Sequence, residues 1–335
     1  MKQRSCLNNS IKNGYSPKFC RKQSKGKVGT APIFFLVGPT AVGKTEISLE
    51  LAKSINAEII SCDSMQVYRK IDIISQKPTK LQLKKVPHHM IGIISPSQNF
   101  SVADYRKMAL KKIKAIHKKG KIPLLVGGTG LYMKVLIDGL FPSPEPDFKL
   151  RENLEKQAQG KEAGYLYEKL AVIDPETAAM LHPNDTRRII RALEIYKKTG
   201  TTMSQLKKKT KGLGSNYCVR IFSLNRPREE LYDRINKRVD KMFKGGAAEE
   251  CKRLKGIKLS LSASQILGCK EIFAYLDNKC TKQEAMEALK QNTRRFAKRQ
   301  LSWFRNEPRA EEFDIKVSES ARQTAKALKR KMANG

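Results

Sequence analysis

Ile33-Phe34-Phe35-Leu36-Val37-Gly38-Pro39-Thr40-Ala41-Val42-Gly43-Lys44-Thr45 is the stretch that decides the fold. Its first five residues are a continuous apolar run, the pattern of a parallel strand buried on both faces. The next eight match G-x-x-x-x-G-K-[ST] at every fixed position. In such a loop the backbone N–H groups turn toward one point, and the helix that follows adds the positive end of its dipole. Gly38, Pro39, Thr40, Ala41, Val42, Gly43, Lys44 and Thr45 are therefore expected to cradle a polyphosphate. Lys44 brings a point charge, and the Thr45 hydroxyl suits Mg²⁺.

Working outward, Lys44 to about Ser54 reads as a helix and Ala57-Glu58-Ile59-Ile60-Ser61 as a second strand. Ser101, with Asp104 in the first turn, caps a helix that stops at Gly120. Ile122-Pro123-Leu124-Leu125-Val126 is a third buried strand. The alternation predicts an α/β fold, a P-loop doubly wound parallel sheet. Phe141-Pro142-Ser143-Pro144-Glu145-Pro146 breaks the alternation, and a mainly helical insertion follows. A Lys- and Gly-rich linker leads to the strand Val219–Leu224. Thr281 with Glu284 forms a capping box for a long basic helix over about 282–305. The expected divisions are a disordered basic arm (1–30), the first part of the core (31–141), the helical insertion (142–206), the continued core (207–306) and a peripheral basic tail (307–335).

The chain has 335 residues, 40% hydrophobic and 30% charged, an ordinary globular composition. Its net charge of +35 is not ordinary. The first thirty residues contain eight Lys and Arg and no acid, yet 59 basic residues against 32 acidic ones remain without them. A body so basic attracts a polyanion, nucleic acid foremost. The acid-free arm has the charge of a targeting peptide, but Lys outnumbers Arg there, which fits that class less well. The longest apolar stretch, about Ala31 to Val37, is too short to cross a bilayer, so no membrane association is expected. Seven scattered cysteines without a C-x-x-C pair suggest neither zinc nor a disulfide framework, and fit a reducing cytoplasm. The adjacent His88 and His89 are read as structural.

Asp63 follows the second strand. Ligands in an open parallel sheet lie beyond the carboxyl ends of the strands, so Asp63 should lie near the phosphate loop. A carboxylate there can bind Mg²⁺, cap a helix or accept a proton. The third strand ends Val126-Gly127-Gly128-Thr129-Gly130, with no acid of the kind that serves ATP hydrolysis. That counts against the alternative of a P-loop small-molecule or nucleotide kinase. A second alternative is an inactive RNA-binding protein, against which intact Lys44, Thr45 and Asp63 stand.

Several motifs occur together: the loop, Asp63-Ser64-Met65-Gln66-Val67-Tyr68-Arg69, Lys77-Pro78-Thr79, Pro87-His88-His89, Gly127-Gly128-Thr129-Gly130-Leu131-Tyr132, His182-Pro183-Asn184-Asp185, Arg187-Arg188-Ile189-Ile190-Arg191, and Thr293 to Gln300 with Trp303-Phe304-Arg305. In order and spacing they resemble the tRNA dimethylallyltransferases over about residues 32–306. The resemblance implies transfer of a dimethylallyl group from dimethylallyl diphosphate to N6 of adenosine 37 beside the tRNA anticodon. It implies Mg²⁺, the anticodon stem-loop as partner, and a monomeric cytoplasmic enzyme.

By the same resemblance Asp63 is the general base, and Thr40 and Arg238 act on the diphosphate. From its local sequence alone Arg238 reads as a solvated helical residue, with Arg234 a rival one turn earlier. The resemblance puts Asp63, Ser64, Met65, Gln66 and Thr129 along the path of the target base. It assigns tRNA contacts to Arg187, Arg188, Ile189, Ile190 and Arg191, and to Gln265, Gly268 and Lys270. Cys269 stands where the family carries Tyr, which removes one possible stacking contact. On the last helix Ala297, Leu301 and Phe304 are spaced to face the core. Arg294, Arg295, Lys298, Arg299 and Arg305 are expected to meet phosphate, and Phe296 and Trp303 to pack.

Overall fold

The computed structural model describes residues 32–334, so the basic arm lies outside the described residues. Asp138–Gly212 form one compact unit, and the rest of the described chain forms another.

The larger unit is built on six parallel strands: β1 (Pro32–Val37), β2 (Ala57–Ser61), β3 (His88–His89), β4 (Ile122–Gly127), β5 (Cys218–Asn225) and β6 (Ala310–Asp314). Their order across the sheet is β3-β2-β4-β1-β5-β6. β1 lies centrally, with Phe35 opposite Leu125 on one neighbour and Ile221 on the other. Its continuous apolar run is needed because successive side chains enter different cores. Ile33, Phe35 and Val37 join one cluster with Tyr105, Met133 and Phe304. Phe34 and Leu36 join the other, with Ile47, Leu51 and Phe222.

Helix α1 (Lys44–Ser54) follows β1, α2 (Lys80–Lys85) precedes β3, and α3 (Val102–Lys118) precedes β4, with α4 (Gly130–Ile137) after it. The cap expected at Ser101 is formed, as a capping box with Asp104. So is the one at Thr281 and Glu284, which starts a helix at Lys282 and carries it to Arg305. His88 and His89 are structural: His88 Nδ1 lies 2.7 Å from Val86 O, and His89 Nε2 lies 2.7 Å from buried Glu58. No helix among the described residues is long and apolar enough to cross a membrane.

In the smaller unit come α5 (Phe148–Ala158), α6 (Tyr165–Ile173), α7 (Pro175–Ala178), α8 (Thr186–Thr199) and α9 (Met203–Lys208). Leu154, Leu166, Leu170, Ile189, Ile190 and Leu193 form its core. The unit extends beyond 142–206 at both ends, where Thr210 Oγ1 donates to Asp138 O at 3.0 Å. Glu194 is fully buried, yet its carboxyl is held down to about 2. Burial disfavours its charge, but Arg151, the Asp147 N–H and Arg191 outweigh that.

Downstream are α10 (Arg228–Lys244), α11 (Ala247–Lys255), α12 (Cys269–Leu276), α13 (Lys282–Arg305) and α14 (Ala321–Asn334). The expectation of a peripheral tail after Pro308 is incorrect. β6 extends the sheet beside β5. α14 buries Ala325, Leu328 and Met332 in the same core as Phe34. Arg220 on β5 fastens this addition, donating to Glu311 at 2.9 Å and to Met332 O at 2.8 Å. An edge strand with one solvated face tolerates the polar sequence Ala-Glu-Glu-Phe-Asp, which hides it from a search for apolar runs.

Candidate active site

The loop after β1 owes its shape to three local choices. Ala41 and Gly43 take positive φ (+64° and +107°), and α1 starts directly behind them. Their left-handed conformations turn successive N–H groups inward to form an anion-binding nest. Lys44 Nζ donates back to Gly38 O at 2.9 Å and Pro39 O at 2.6 Å. From α10, Arg234 Nε donates to Ala41 O at 2.8 Å. Arg226 Nε donates to Val42 O at 2.9 Å. Arg234, the rival to Arg238, thus braces the loop.

Removal from water draws the Lys44 ammonium down to about 7; Asp63 opposes the fall, Arg238 adds to it and Glu46 opposes it again. Burial likewise lowers Arg238 to about 10, against the pull of Asp63 and Glu46. Arg238 is thus not the solvated residue its local sequence suggests. Two cations held partly out of water beside a phosphate loop form a strong anion site, because dianion binding offsets the loss of hydration.

Asp63 sits in the turn beyond β2. The Met65 N–H donates to its Oδ1 at 2.9 Å. Thr129 Oγ1 accepts from Ser64 N at 3.0 Å, and Thr129 N donates to Cys62 O at 3.2 Å. Ser61 Oγ donates to Gln66 Oε1 at 3.0 Å, while Gln66 Nε2 donates to Gln76 O at 3.1 Å. Asp63, Ser64, Met65 and Gln66 thus share one turn, held by the contact of Ser64 with Thr129 and by those of Gln66 with Ser61 and Gln76. Gly127 makes it possible: a Cβ there would lie 2.0 Å from Cys62 O.

These pieces meet in a cleft of about 510 Å³, within the usual size of small-ligand sites. Thr40, Lys44, Thr45, Asp63 and Arg238 are among its polar lining. Ile74, Met242, Leu267, Leu289 and Phe296 supply apolar surface. One cleft can thus hold a charged diphosphate and a short hydrocarbon chain, with a carboxylate on its wall.

The remaining expected tRNA contacts are not among the residues that line the cleft. Arg187 and Arg188 are exposed on α8, Arg188 pairing with Asp185 at 3.1 Å. Arg191 is committed to Glu194, Ser143 and Pro144 O. Ile189 and Ile190, expected at the RNA surface, are only 1% and 3% exposed. They fill the small core because the helical period puts them on the face opposite Arg187 and Arg188. Gln265 and Lys270 are exposed. Gly268 is buried at the start of α12 with φ +102°, and Cys269 beside it packs into the core. Trp303 packs against the same core.

Two residues were not foreseen. Gln300 on α13 accepts from Thr40 N at 2.8 Å and donates to Gly128 O at 2.9 Å. A signal existed, since position 300 shares the helical face of Ala297 and Phe304. Glu250 on α11 accepts from the N–H groups of Asp72, Ile73 and Ile74 at 2.7 to 2.9 Å, holding the segment that carries the cleft residues Ile74 to Lys77. Its partners lie some 177 residues away, and nothing local announces them.

A parallel sheet whose central strand enters a phosphate loop, with a carboxylate at the end of a nearby strand, defines a P-loop α/β enzyme with an anion-binding cleft. The IPP transferase family model matches residues 66–307, and the chain belongs to that family. It is 48% identical over 290 residues to the tRNA dimethylallyltransferase of Halothermothrix orenii, covering 86% of this chain and 88% of that one. To the Bacillus subtilis tRNA dimethylallyltransferase it is 48% identical over 288 residues, covering 85% and 91%. Among solved structures, the tRNA isopentenylpyrophosphate transferase of Bacillus halodurans superposes with a TM-score of 0.66 at 41% identity, over 90% of this chain and 97% of that one. A eukaryotic dimethylallyltransferase acting on tRNA gives 0.76 at 29% identity, over 91% and 79%.

Proposed function

We propose that this chain transfers a dimethylallyl group from dimethylallyl diphosphate to N6 of adenosine 37 in the tRNA anticodon loop. The observation that carries the reading is the shared cleft: Lys44, Thr40 and Arg238 for a diphosphate, apolar side chains for a five-carbon group, and Asp63 beside both. Relatives named tRNA dimethylallyltransferase support it.

The bond between the allylic carbon and the diphosphate oxygen breaks, and the electron pair leaves with the diphosphate. The new bond forms from N6 to that carbon. The loop amides, Lys44, Thr40 and Arg238 hold the departing charge in positions set before the reaction begins. The N6 lone pair is delocalised into the purine ring, so the amine is a weak nucleophile. Asp63 accepts the N6 proton, help worth about 10²–10⁴-fold. Its fixed turn aims the carboxylate before the base arrives.

The donor set also fits Mg²⁺. The Thr45 hydroxyl lies in the cleft beside the phosphate loop. That arrangement suits an ion that keeps several waters and binds mainly through substrate phosphates. Thr45 would hold it, and it would neutralise charge on the diphosphate.

The target base must leave the loop stack, which is inexpensive in an unpaired anticodon loop. Ser64, Met65, Gln66 and Thr129 receive it. Exposed Arg187, Arg188, Gln265 and Lys270, with Arg295, Lys298, Arg299 and Arg305 on α13, meet the anticodon stem-loop, and the enzyme works as a monomer in the cytoplasm. The test supplies purified protein, Mg²⁺, labelled dimethylallyl diphosphate and unmodified tRNA. Label should enter the tRNA and vanish when adenosine 37 is replaced. Consumption of ATP with a small metabolite, and no label in tRNA, would instead identify a kinase.

A further inference from the structure

We propose that Gln300 is a positioning residue that clamps the diphosphate loop to the base-side turn, so that donor and acceptor are held at reacting distance. The proposal rests on the transfer reaction proposed above. The Gln300 side chain is 6% exposed and spends both ends of its carboxamide on backbone. Its Oε1 accepts from Thr40 N, and its Nε2 donates to Gly128 O.

Each contact governs one half of the site. The Thr40 N–H and the Pro39 carbonyl belong to one peptide group and point in opposite directions in a trans peptide. Pro39 O accepts from Lys44 Nζ at 2.6 Å. That peptide plane is therefore held between Lys44 on one side and Gln300 on the other, and its orientation sets where Lys44 meets the diphosphate. On the second half, Gly128 precedes Thr129, whose hydroxyl holds the Ser64 N–H beside Asp63. Gly128 has no room for a side chain: a Cβ would lie 2.2 Å from Gln300 Nε2. The backbone is shaped around this one carboxamide, which joins segments 260 and 172 residues away from it.

A clamp of this kind acts on turnover more than on capture of either substrate. In Gln300→Met, a similar volume without polar atoms, the loop amides and Lys44 still bind diphosphate. The two halves then lose their common reference, and a misplacement of about 1 Å lowers kcat about 100-fold with little change in KM for the donor. Gln300→Glu separates positioning from mere support. A carboxylate accepts from Thr40 N but faces Gly128 O with a second acceptor, whereas the protonated acid donates to Gly128 O as the amide does. The activity ratio of Gln300→Glu to the unsubstituted enzyme should therefore climb as pH falls. Lys44, Glu46, Asp63, Lys77, Arg234, Lys237, Arg238 and Lys241 line the same cleft and act on both proteins, so the ratio isolates position 300.

The experiment measures steady-state prenyl transfer by the unsubstituted chain, Gln300→Met and Gln300→Glu from pH 5.5 to 8.5, with thermal melting to register folding. A low kcat at unchanged KM in Gln300→Met, with a Gln300→Glu ratio rising toward acid, supports the clamp. Full turnover by Gln300→Met, or a flat ratio for Gln300→Glu, overturns it. If the unsubstituted chain transfers nothing to tRNA, the reaction itself is wrong and the clamp falls with it. An active parent beside fully active variants sinks the clamp alone.

Discussion

The donor should bind less tightly as pH rises above neutrality, and the size of the effect follows from Lys44. Its ammonium is drawn down to about 7, chiefly by loss of water. A diphosphate placed against it favours the charged form, so the pKa in the complex lies above that in the free protein. Binding therefore takes up a proton wherever the pH lies between the two values, and affinity falls as pH climbs past about 7. Between pH 7.5 and 9 the charged fraction of a group with that pKa drops from about one quarter to about one hundredth. The dissociation constant should then rise about 25-fold, or about 1.9 kcal/mol at 1.36 kcal/mol per unit. A phosphate group with a pKa near 6 is already ionised across that range. Calorimetric titration of dimethylallyl diphosphate at pH 8.5, in two buffers of different ionisation enthalpy, should register the uptake of about one proton. Lys44→Arg keeps its charge throughout and should flatten the slope. An affinity that does not change over this range, or no proton uptake, would refute the assignment of a desolvated Lys44 to the diphosphate.

Asp63→Ala should lower turnover by about 10²–10⁴-fold while diphosphate binding survives; single-turnover kinetics beside binding isotherms separate the two, and unchanged turnover removes Asp63 from the chemistry. Gly127→Ala puts a Cβ 2.0 Å from Cys62 O, where backbone cannot move aside cheaply, and should destabilise the fold by about 1–3 kcal/mol, read from urea unfolding. Truncation after Pro308 removes β6 and α14 and exposes the core they cover; burial of each large apolar side chain is worth about 1.5–3 kcal/mol, so the melting temperature should fall sharply, and an unshifted melt would make this segment dispensable. Deletion of residues 2–29 should leave transfer to tRNA intact, and loss of activity would give the arm a part in the reaction.

The core of the fold was legible because its signals are contiguous. A run such as Ile33 to Val37 states its own burial, and a capping box such as Thr281 with Glu284 states where a helix begins. The phosphate loop is legible for the same reason: one turn carries the amides, the lysine and the hydroxyl. The tail after Pro308 was not, because an edge strand with a solvated face looks like surface until its partner Arg220 is placed beside Glu311. Arg238 illustrates the limit within a helix. Its neighbours are charged, so its local sequence suggests solvent, and only the packing of α10 against the loop takes it into the cleft.

The acids and amides that shape the cleft fall at the far end of this scale. Glu250 gathers three backbone N–H groups, and Gln300 joins two loops, each from a helix far away in sequence. Neither sits in a pattern that chemistry alone marks as functional. Their effect comes from burial, since a hydrogen bond to a backbone group that water cannot reach is costly to break. Lys44 opens α1 directly behind the phosphate loop, and Asp63 lies in the turn after β2. The phosphate loop is tied to the turn after β4 from α13, which reads in the sequence only as a packing and RNA-facing helix, while α11 braces the segment from Asp72 to Ile74. A substitution at Glu250 should therefore loosen the segment from Asp72 to Lys77 and so the cleft wall, without touching the phosphate loop. The opposite division holds for Lys44, whose loss leaves the wall intact and empties the diphosphate site of its charge.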